Sequence, residues 1–223
     1  MPTHQSLGGA SDEELLQRMV ATHPERFDAA FWEFFDAHVR RRLPPRPVIV
    51  DLGCGPGLLL QDLGARHPDA VLHGYDVTPA MIAHGRGLAF KPASVTLTVH
   101  DVAGRPLPLA AATVSLASMS SVLHVFDEPL PTLAEIRRVL APGGIFLLND
   151  WIRQPLGAYL AWRRDVMKEA GPDALRRAFR LFPVHNKYTV EDWRWLLGEA
   201  GFEILAQTEL RPSHRIFVAT PTR

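Results

Sequence analysis

The chain has 223 residues, 47% of them hydrophobic, and its 24 basic and 24 acidic residues give a formal net charge of zero. This balance counts against nucleic acid as a partner, because nucleic-acid-binding domains usually carry a basic excess. The single cysteine, Cys54, excludes a disulfide framework within the chain and fits a reducing compartment. No apolar run approaches the ~20 residues of a membrane span, and no signal-peptide pattern is found. We expect a cytoplasmic protein without a membrane partner, either a monomer or a homodimer.

The first predicted unit, residues 1–45, is a helical cap. Ser11 and Glu14 form a capping-box pattern, which predicts that a helix begins there. A second helix is expected after Pro24, because aromatic residues recur at helical spacing in that stretch. Such a stripe favours packing in the core. Phe31 is nevertheless kept as a candidate substrate contact.

A glycine-rich turn dominates the next stretch. Residues 48–52 form a β-branched run that contains Asp51 and predicts a strand buried on both faces. Gly53, Gly55 and Gly57 follow, and an apolar run then predicts a helix. Glycines let a ligand approach the backbone closely, and a helix N-terminus offers free N–H groups. The pattern predicts a nucleotide-like ligand site, with Cys54 as a small residue beside the ligand.

The spacing of these glycines distinguishes between kinds of nucleotide site. The third glycine comes one residue earlier than in the dinucleotide fingerprint G-x-G-x-x-G. Two leucines stand where a phosphate-binding P-loop has lysine and serine or threonine. The spacing Asp51-x-Gly53-x-Gly55-x-Gly57 resembles the first motif of the class I S-adenosylmethionine-dependent methyltransferases.

Two further predicted strands end in a carboxylate. Asp76 closes the second strand and could accept hydrogen bonds from both hydroxyls of a ribose. Asp101 closes the third and could accept from an adenine amino group. With residues 140–144 (Leu-Ala-Pro-Gly-Gly), these acids extend the resemblance over residues 46–150, which implies S-adenosyl-L-methionine as the cofactor. Further candidate cofactor contacts lie beside these acids or at the end of the fourth strand: Val77, Met81, Val102 and Ser118.

The alternation of strands and helices predicts an α/β fold, a Rossmann-like doubly wound sheet. The resemblance implies seven strands, the last of them antiparallel. We expect residues 46–150 to form the cofactor-binding core and residues 189–223 to add a helix and two closing strands. Residues 151–188 depart from this minimal fold and are predicted to form a helical lid inserted after strand five. Such a lid would exclude water from the reaction.

Methyl transfer is an in-line displacement at the methyl carbon, and a general base helps where the acceptor is a hydroxyl or an azole N–H. His124 is a candidate base because it follows strand four, where the methyl group should point. His185 is the other candidate, in a compact polar cluster at the exit of the lid. Candidate substrate contacts lie in that cluster, on the first lid helix and at the end of strand five: Asn186, Tyr188, Tyr159, Asp150 and Trp151. His214 is expected to have no chemical role, and no metal-ligating cluster is evident.

The resemblance therefore implies methyl transfer to an oxygen or nitrogen atom of a small-molecule substrate. One alternative is a nicotinamide-dependent oxidoreductase, against which the glycine spacing and the lack of an evident Tyr-x-x-x-Lys pair count. Another is a non-catalytic domain that binds the cofactor as a partner or regulator. Non-methyl chemistry on the same scaffold also stays open, because a fold does not fix a reaction.

Overall fold

The computed structural model describes residues 9, 11–90, 93–103, 105–165 and 169–222. Its seven strands are β1 (Val48–Leu52), β2 (Val71–Asp76), β3 (Ser94–Val99), β4 (Val114–Ser120), β5 (Leu140–Trp151), β6 (Phe202–Arg211) and β7 (His214–Pro221). Its α-helices are α1 (Asp12–Ala21), α2 (His23–Arg26), α3 (Ala29–His38), α4 (Leu58–Arg66), α5 (Pro79–Arg86), α6 (Pro129–Val139), α7 (Leu156–Asp165), α8 (Pro172–His185) and α9 (Val190–Glu199). Two short 3₁₀ turns, Arg40–Arg42 and Leu123–Val125, complete these elements.

All seven strands form one sheet in the order β3-β2-β1-β4-β5-β7-β6. Strands β1 to β5 pair in parallel, whereas β7 runs antiparallel to both β5 and β6. The predicted Rossmann-like fold with an antiparallel last strand is thereby confirmed. The chain adds strands on one side of β1 and then returns to the other side with β4. In open α/β sheets, ligands bind at this switch point, outside the carboxyl ends of the strands.

The central strands β1, β4 and β5 are buried on both faces along most of their length, whereas the edge strands β3 and β6 are partly exposed. Successive strand residues point to opposite faces, so Ile49 packs into one apolar core and Val50 into the other, both with 0% exposure. Phe31 and Phe35 of α3 pack into the same core as Ile49. Trp193 of α9 packs into the opposite core. This double burial explains why the β-branched run around Asp51 reads as a core strand.

The N-terminal segment follows the prediction at its first helix and departs from it at the second. The backbone N–H of Glu14 donates to Ser11 Oγ, and the Glu14 carboxylate accepts from the Ser11 N–H, so the capping box at α1 is confirmed. The expected single helix after Pro24 is instead two helices. Asp28 separates them, because its carboxylate accepts from the N–H of Phe31 and begins α3.

Residues 140–144, which extend the resemblance described above, belong to β5, because α6 ends at Val139. The predicted units 1–45 and 151–188 lie partly outside the described residues. Within the described part of the chain, no helix combines the length and apolar character needed to cross a lipid bilayer.

Candidate functional site

A cavity of about 320 Å³ opens at the carboxyl ends of the central strands. Its walls come from the glycine turn, from the segments after β2 to β4, from β5, and from helices α1, α2, α7 and α8. Eight of the predicted site residues line it: Gly53, Asp76, Val77, Met81, Asp101, Val102, Trp151 and His185. The cavity therefore brings the predicted cofactor acids and one candidate base together.

The glycine turn leaves no room for side chains. A Cβ added to Gly53, whose φ is +70°, would lie 2.4 Å from Cγ2 of Val122. A Cβ added to Gly55, whose φ is +52°, would lie 2.5 Å from Cε of Met19. Both positions require glycine for their backbone angles and for the close approach of a neighbour. Met19 belongs to α1, so this helix lies directly against the turn. Gly57 caps α4.

Asp76 is fixed in place by the backbone. Its Oδ2 accepts a hydrogen bond of 2.8 Å from the N–H of Gly55, and its Oδ1 accepts one of 2.8 Å from the N–H of Thr78. Burial raises the pKa of Asp76, and these backbone hydrogen bonds oppose that effect. The Thr78 side chain also hydrogen-bonds to Asp76, and because an ionised carboxylate has about four acceptor positions, this group at the cavity can accept further hydrogen bonds. The arrangement can bind two vicinal hydroxyl groups.

The part of the cavity around Asp101 suits a purine ring. Asp101 is held by the N–H of Ala103, which donates to its Oδ1 at 3.0 Å. Met81 and Val102 supply apolar surface beside it, and Val77 is 47% exposed at the cavity. Three features fit the adenosyl group of S-adenosylmethionine. They are the glycine at position 53, the fixed carboxylate of Asp76, which can bind a diol, and the carboxylate of Asp101 among apolar residues.

Asp51, Ser118 and Cys54 lie behind the turn, and none of them is among the described residues that line the cavity. The Ser118 hydroxyl donates to Oδ1 of Asp51 at 2.7 Å, and burial raises the pKa of Asp51 to about 7. Burial also raises the pKa of the Cys54 thiol well above its usual value. The structure thus gives Asp51 and Ser118 a position supporting the turn, and Cys54 a packed, protonated thiol.

His124 is placed behind the cavity wall. Its Nδ1 lies 2.6 Å from Oδ1 of Asp150, and the two side chains are 1% and 0% exposed. Asp150 also accepts from the N–H groups of Leu123 and Trp151. Burial opposes ionisation of Asp150, but His124 and these N–H groups hold its pKa below the usual value. Neither residue is found among the described cavity-lining side chains, so the pair secures the end of β5.

His185 lines the cavity and is oriented from two sides. Its ring stacks on Trp151 with a centroid distance of 3.8 Å and an interplanar angle of 13°. Its Nδ1 lies 2.8 Å from the Tyr159 hydroxyl, which accepts a hydrogen bond from Nη1 of Arg163. Burial raises the pKa of Tyr159 to about 12, so its hydroxyl keeps a proton that it can donate to Nδ1. In that arrangement a neutral His185 carries its own proton on Nε2.

The remaining predicted substrate contacts have other partners. Asn186 accepts from the N–H of Gln154 at 2.6 Å and donates to the carbonyl of Phe182 at 3.0 Å, which joins α8 to the segment after β5. The Tyr188 ring packs on Trp193. Together with Phe31 and Tyr159, they are absent from the described lining of the cavity.

The sequence analysis missed His214. It lines the cavity with its ring centroid 4.3 Å from that of Trp151, although no chemical role was expected. Its Nε2 lies 3.1 Å from Oγ of Ser121, and its Nδ1 lies 2.8 Å from Oγ of Ser213. Burial lowers the pKa of His214 to about 3, so the ring is neutral at pH 7. No local pattern could show this, because the antiparallel pairing of Trp151 with His214 creates the site.

Residues 50–148 match a family model described as a methyltransferase domain. The chain is 36% identical over 113 residues to a trans-aconitate 2-methyltransferase of Methylobacterium nodulans, an alignment that covers 48% of this chain and 40% of the relative. It is 33% identical over 108 residues to a malonyl-[acyl-carrier protein] O-methyltransferase of Hahella chejuensis, covering 48% of this chain and 38% of the relative. The matches thus span about two fifths of these relatives' lengths.

The fold is similar to that of a plantazolicin methyltransferase solved in complex with SAH. The TM-score is 0.73 at 14% sequence identity, and the superposition covers 99% of this chain and 94% of that structure. At this identity the likeness concerns the fold.

Proposed function

Since this chain belongs to the class I S-adenosylmethionine-dependent methyltransferase family, we propose that it transfers a methyl group from this cofactor to an oxygen or nitrogen atom of a small-molecule acceptor. The observation that carries the proposal is the Asp76 carboxylate, which backbone N–H groups of Gly55 and Thr78 fix beside the glycine turn at the cavity. By their names, these two relatives are a trans-aconitate 2-methyltransferase and an O-methyltransferase of malonyl-[acyl-carrier protein]. The first name supports a small carboxylic acid as the acceptor.

Within the cavity, this chain's residues would bind and align the two reactants. Asp76 would accept from the ribose hydroxyls and Asp101 from the adenine amino group, while Gly53 admits the ligand close to the backbone. The cofactor supplies an electrophilic methyl group when it is bound. Alignment of the acceptor with that methyl group is the protein's main contribution, because correct orientation removes much of the entropic barrier.

The acceptor end of the cavity is aromatic and holds neutral polar groups. His185 would donate from Nε2 to the acceptor, on a ring that Trp151 and Tyr159 hold in place. Ser121 and the neutral His214 offer a second hydrogen-bonding pair beside Trp151. An acceptor that is already an anion, or a neutral amine, needs no proton removed before attack. This cavity suits such an acceptor, with His185 and Ser121 as orienting groups.

We also propose that residues 1–45 and 151–188 together cover the reactants. Support comes from Met19 of α1, which touches the glycine turn, and from Trp162 and Leu181 of α7 and α8, which line the same cavity. Removal of water strengthens electrostatic contacts and protects the methyl donor. A cytoplasmic location, a monomeric or homodimeric state and the absence of a nucleic-acid partner belong to the same proposal.

The test is a methyl-transfer assay with S-adenosylmethionine that carries a labelled methyl group. Purified protein is incubated with separate pools of small carboxylic acids, phenols and amines, and labelled product and S-adenosylhomocysteine are both measured. We expect label in one pool, with loss of transfer in Asp76→Ala.

Binding of S-adenosylhomocysteine without transfer to any pool would favour the non-catalytic alternative. Binding of NAD in place of the adenosyl ligand would favour the oxidoreductase.

A further inference from the structure

Arginine side chains are concentrated in the cavity. The five that line it come from α1, α2, α7, α8 and β6: Arg18, Arg26, Arg163, Arg177 and Arg211. Glu169 serves two of them, since it accepts from Nε and Nη2 of Arg163 at 2.8 Å and lies 4.0 Å from Nη1 of Arg18. Among the described residues, no carboxylate forms an ion pair with Arg26 or Arg211. The lining also contains the carboxylates of Glu25, Asp76, Asp101 and Glu169, so what distinguishes Arg26 and Arg211 is the lack of a carboxylate within ion-pair distance among the described residues.

Arg26 lies against α1 with part of its guanidinium buried. Its Nη2 donates to the carbonyl of Met19 at 2.9 Å, while its Nε is buried and has no hydrogen-bond partner within the described part of the chain. Burial, the largest cause, and the nearby Arg211 lower the pKa of Arg26 to about 10, and Asp51 acts in the opposite direction. A guanidinium stays charged in proteins, and a buried unpaired charge is costly. Such a group fits a site that an anion fills.

Arg211 faces the same cavity from the end of β6. Burial lowers the pKa of Arg211, and Asp28 and Glu25 act in the opposite direction. Asp28 already caps α3 through the N–H of Phe31, and Glu25 is exposed. Glu25 lines the cavity as well, but among the described residues neither acid lies within ion-pair distance of Arg211.

We propose that Arg26 and Arg211 form a carboxylate-binding site in this cavity; the inference rests on the proposed function. The planar fork of a guanidinium matches the two oxygens of a carboxylate. Two reactants of a methyltransferase carry this group: the cofactor, in its amino-acid part, and an acidic acceptor. The chemistry to be recognised is the same for both.

The positions of the two arginines connect the cofactor end with the acceptor end. Arg26 is tied to the carbonyl of Met19, whose side chain touches the glycine turn at Gly55. Arg211 pairs across the hairpin with His214, which contacts Trp151 and Ser121 at the other end. A carboxylate between these arginines would thus lie between the glycine turn and Trp151 within the cavity.

The experiment compares two adenosyl probes by calorimetric titration: S-adenosylhomocysteine and its decarboxylated analogue, S-adenosyl-3-thiopropylamine. A second arm titrates trans-aconitate and 3-phenylpropionate into the complex with S-adenosylhomocysteine. Arg26→Met and Arg211→Met are measured, with Arg194→Met as the control that removes the same charge from the exposed face of α9. Thermal melting and the affinity for the decarboxylated probe show whether each variant is folded.

We expect a loss of about 10- to 100-fold in affinity for a carboxylate probe in Arg26→Met and Arg211→Met, the scale of a charge-assisted hydrogen bond. If only S-adenosylhomocysteine is weakened, and its decarboxylated analogue is not, the site takes the cofactor's carboxylate. If only the acids are weakened, it takes an acidic acceptor.

Three results would overturn the inference. In the first, the wild type binds both adenosyl probes equally and binds neither acid. In the second, the arginine variants lose the same affinity for both adenosyl probes. In the third, Arg194→Met loses as much affinity as Arg26→Met and Arg211→Met do. In each case binding of S-adenosylhomocysteine itself would still support the proposed function, so the two failures are distinguishable.

Discussion

Nδ1 of His124 and Oδ1 of Asp150 lie 2.6 Å apart where both side chains are shielded from solvent. Removal of one partner from such a pair leaves an uncompensated group in the interior, which typically costs 3–5 kcal/mol. We therefore expect Asp150→Ala to lower the free energy of unfolding by about 3 kcal/mol or more, measured by urea denaturation. Asp173→Ala, at a side chain 91% exposed, is the matched control and should change little.

A substitution of His124 distinguishes a structural role for this residue from a catalytic one. His124→Gln should lose stability while its kcat changes only a few-fold at a temperature where it is folded. A folded His124→Gln protein with a 100-fold lower kcat would contradict this expectation and would indicate that His124 takes part in the reaction.

Removal of the charge of Asp76 tests the cofactor site. Asp76→Asn keeps the shape of the side chain but weakens hydrogen bonds to two ribose hydroxyls, so the affinity for S-adenosylhomocysteine should fall about 100-fold. Calorimetry measures this loss, and Asp69→Asn, at an exposed position, is the control. Unchanged affinity would place the ribose elsewhere.

The close approach of Val122 to Gly53 predicts the effect of adding a side chain in the glycine turn. In Gly53→Ala the new Cβ would meet Val122 at 2.4 Å with φ at +70°, so we expect a loss of about 1–3 kcal/mol in unfolding free energy and weaker cofactor binding. Adding Val122→Ala should recover the steric part. Gly198→Ala is the control, because its Cβ would meet nothing within 4 Å and helix α9 should gain about 0.5–1 kcal/mol. Equal effects of the two glycine substitutions would contradict the structure.

Asp51 predicts a pH dependence. Its pKa is raised to about 7 in the folded protein and is near 3.9 in the unfolded chain, so the folded state binds the extra proton between these values. The contribution of Asp51 to stability is therefore present at low pH and is lost as the pH rises through 7. Asp51→Asn removes this loss.

Relative to the wild type, Asp51→Asn should gain roughly 2–3 kcal/mol in unfolding free energy between pH 5 and pH 8. Urea denaturation at both values measures it. A difference between the two proteins that stays constant with pH would show that Asp51 titrates normally.

The sheet and the cofactor acids were predictable because their signals are local. A strand buried on both faces shows as a nearly continuous apolar run, as at residues 48–52, and the edge strand β3 shows as an alternating run. Asp76 ends β2 and Asp101 closely follows β3. The break between α2 and α3 was also encoded locally, in the capping residue Asp28, but the aromatic periodicity around it masked that signal.

The acceptor end was not predictable in the same way. His214 reaches the cavity because β7 pairs antiparallel with β5, and Arg26 and Arg211 meet there from segments far apart in sequence. His124 stands at the expected strand end, but Asp150 draws its imidazole behind the wall. Which polar side chain faces the cavity is decided by long-range packing and by competition for buried hydrogen bonds, neither of which leaves a spacing pattern.

Glu169 connects two segments that the sequence keeps far apart, since it binds Arg163 of α7 and lies 4.0 Å from Arg18 of α1. One carboxylate thus connects α1 to α7, and both helices line the cavity. The contact to Arg18 is the weaker of the two, because its distance is longer and the Arg18 side chain is partly exposed. Salt screens such a contact more than a buried one, so we expect the coupling of α1 to α7, and with it the affinity of the cavity for a ligand, to depend on ionic strength.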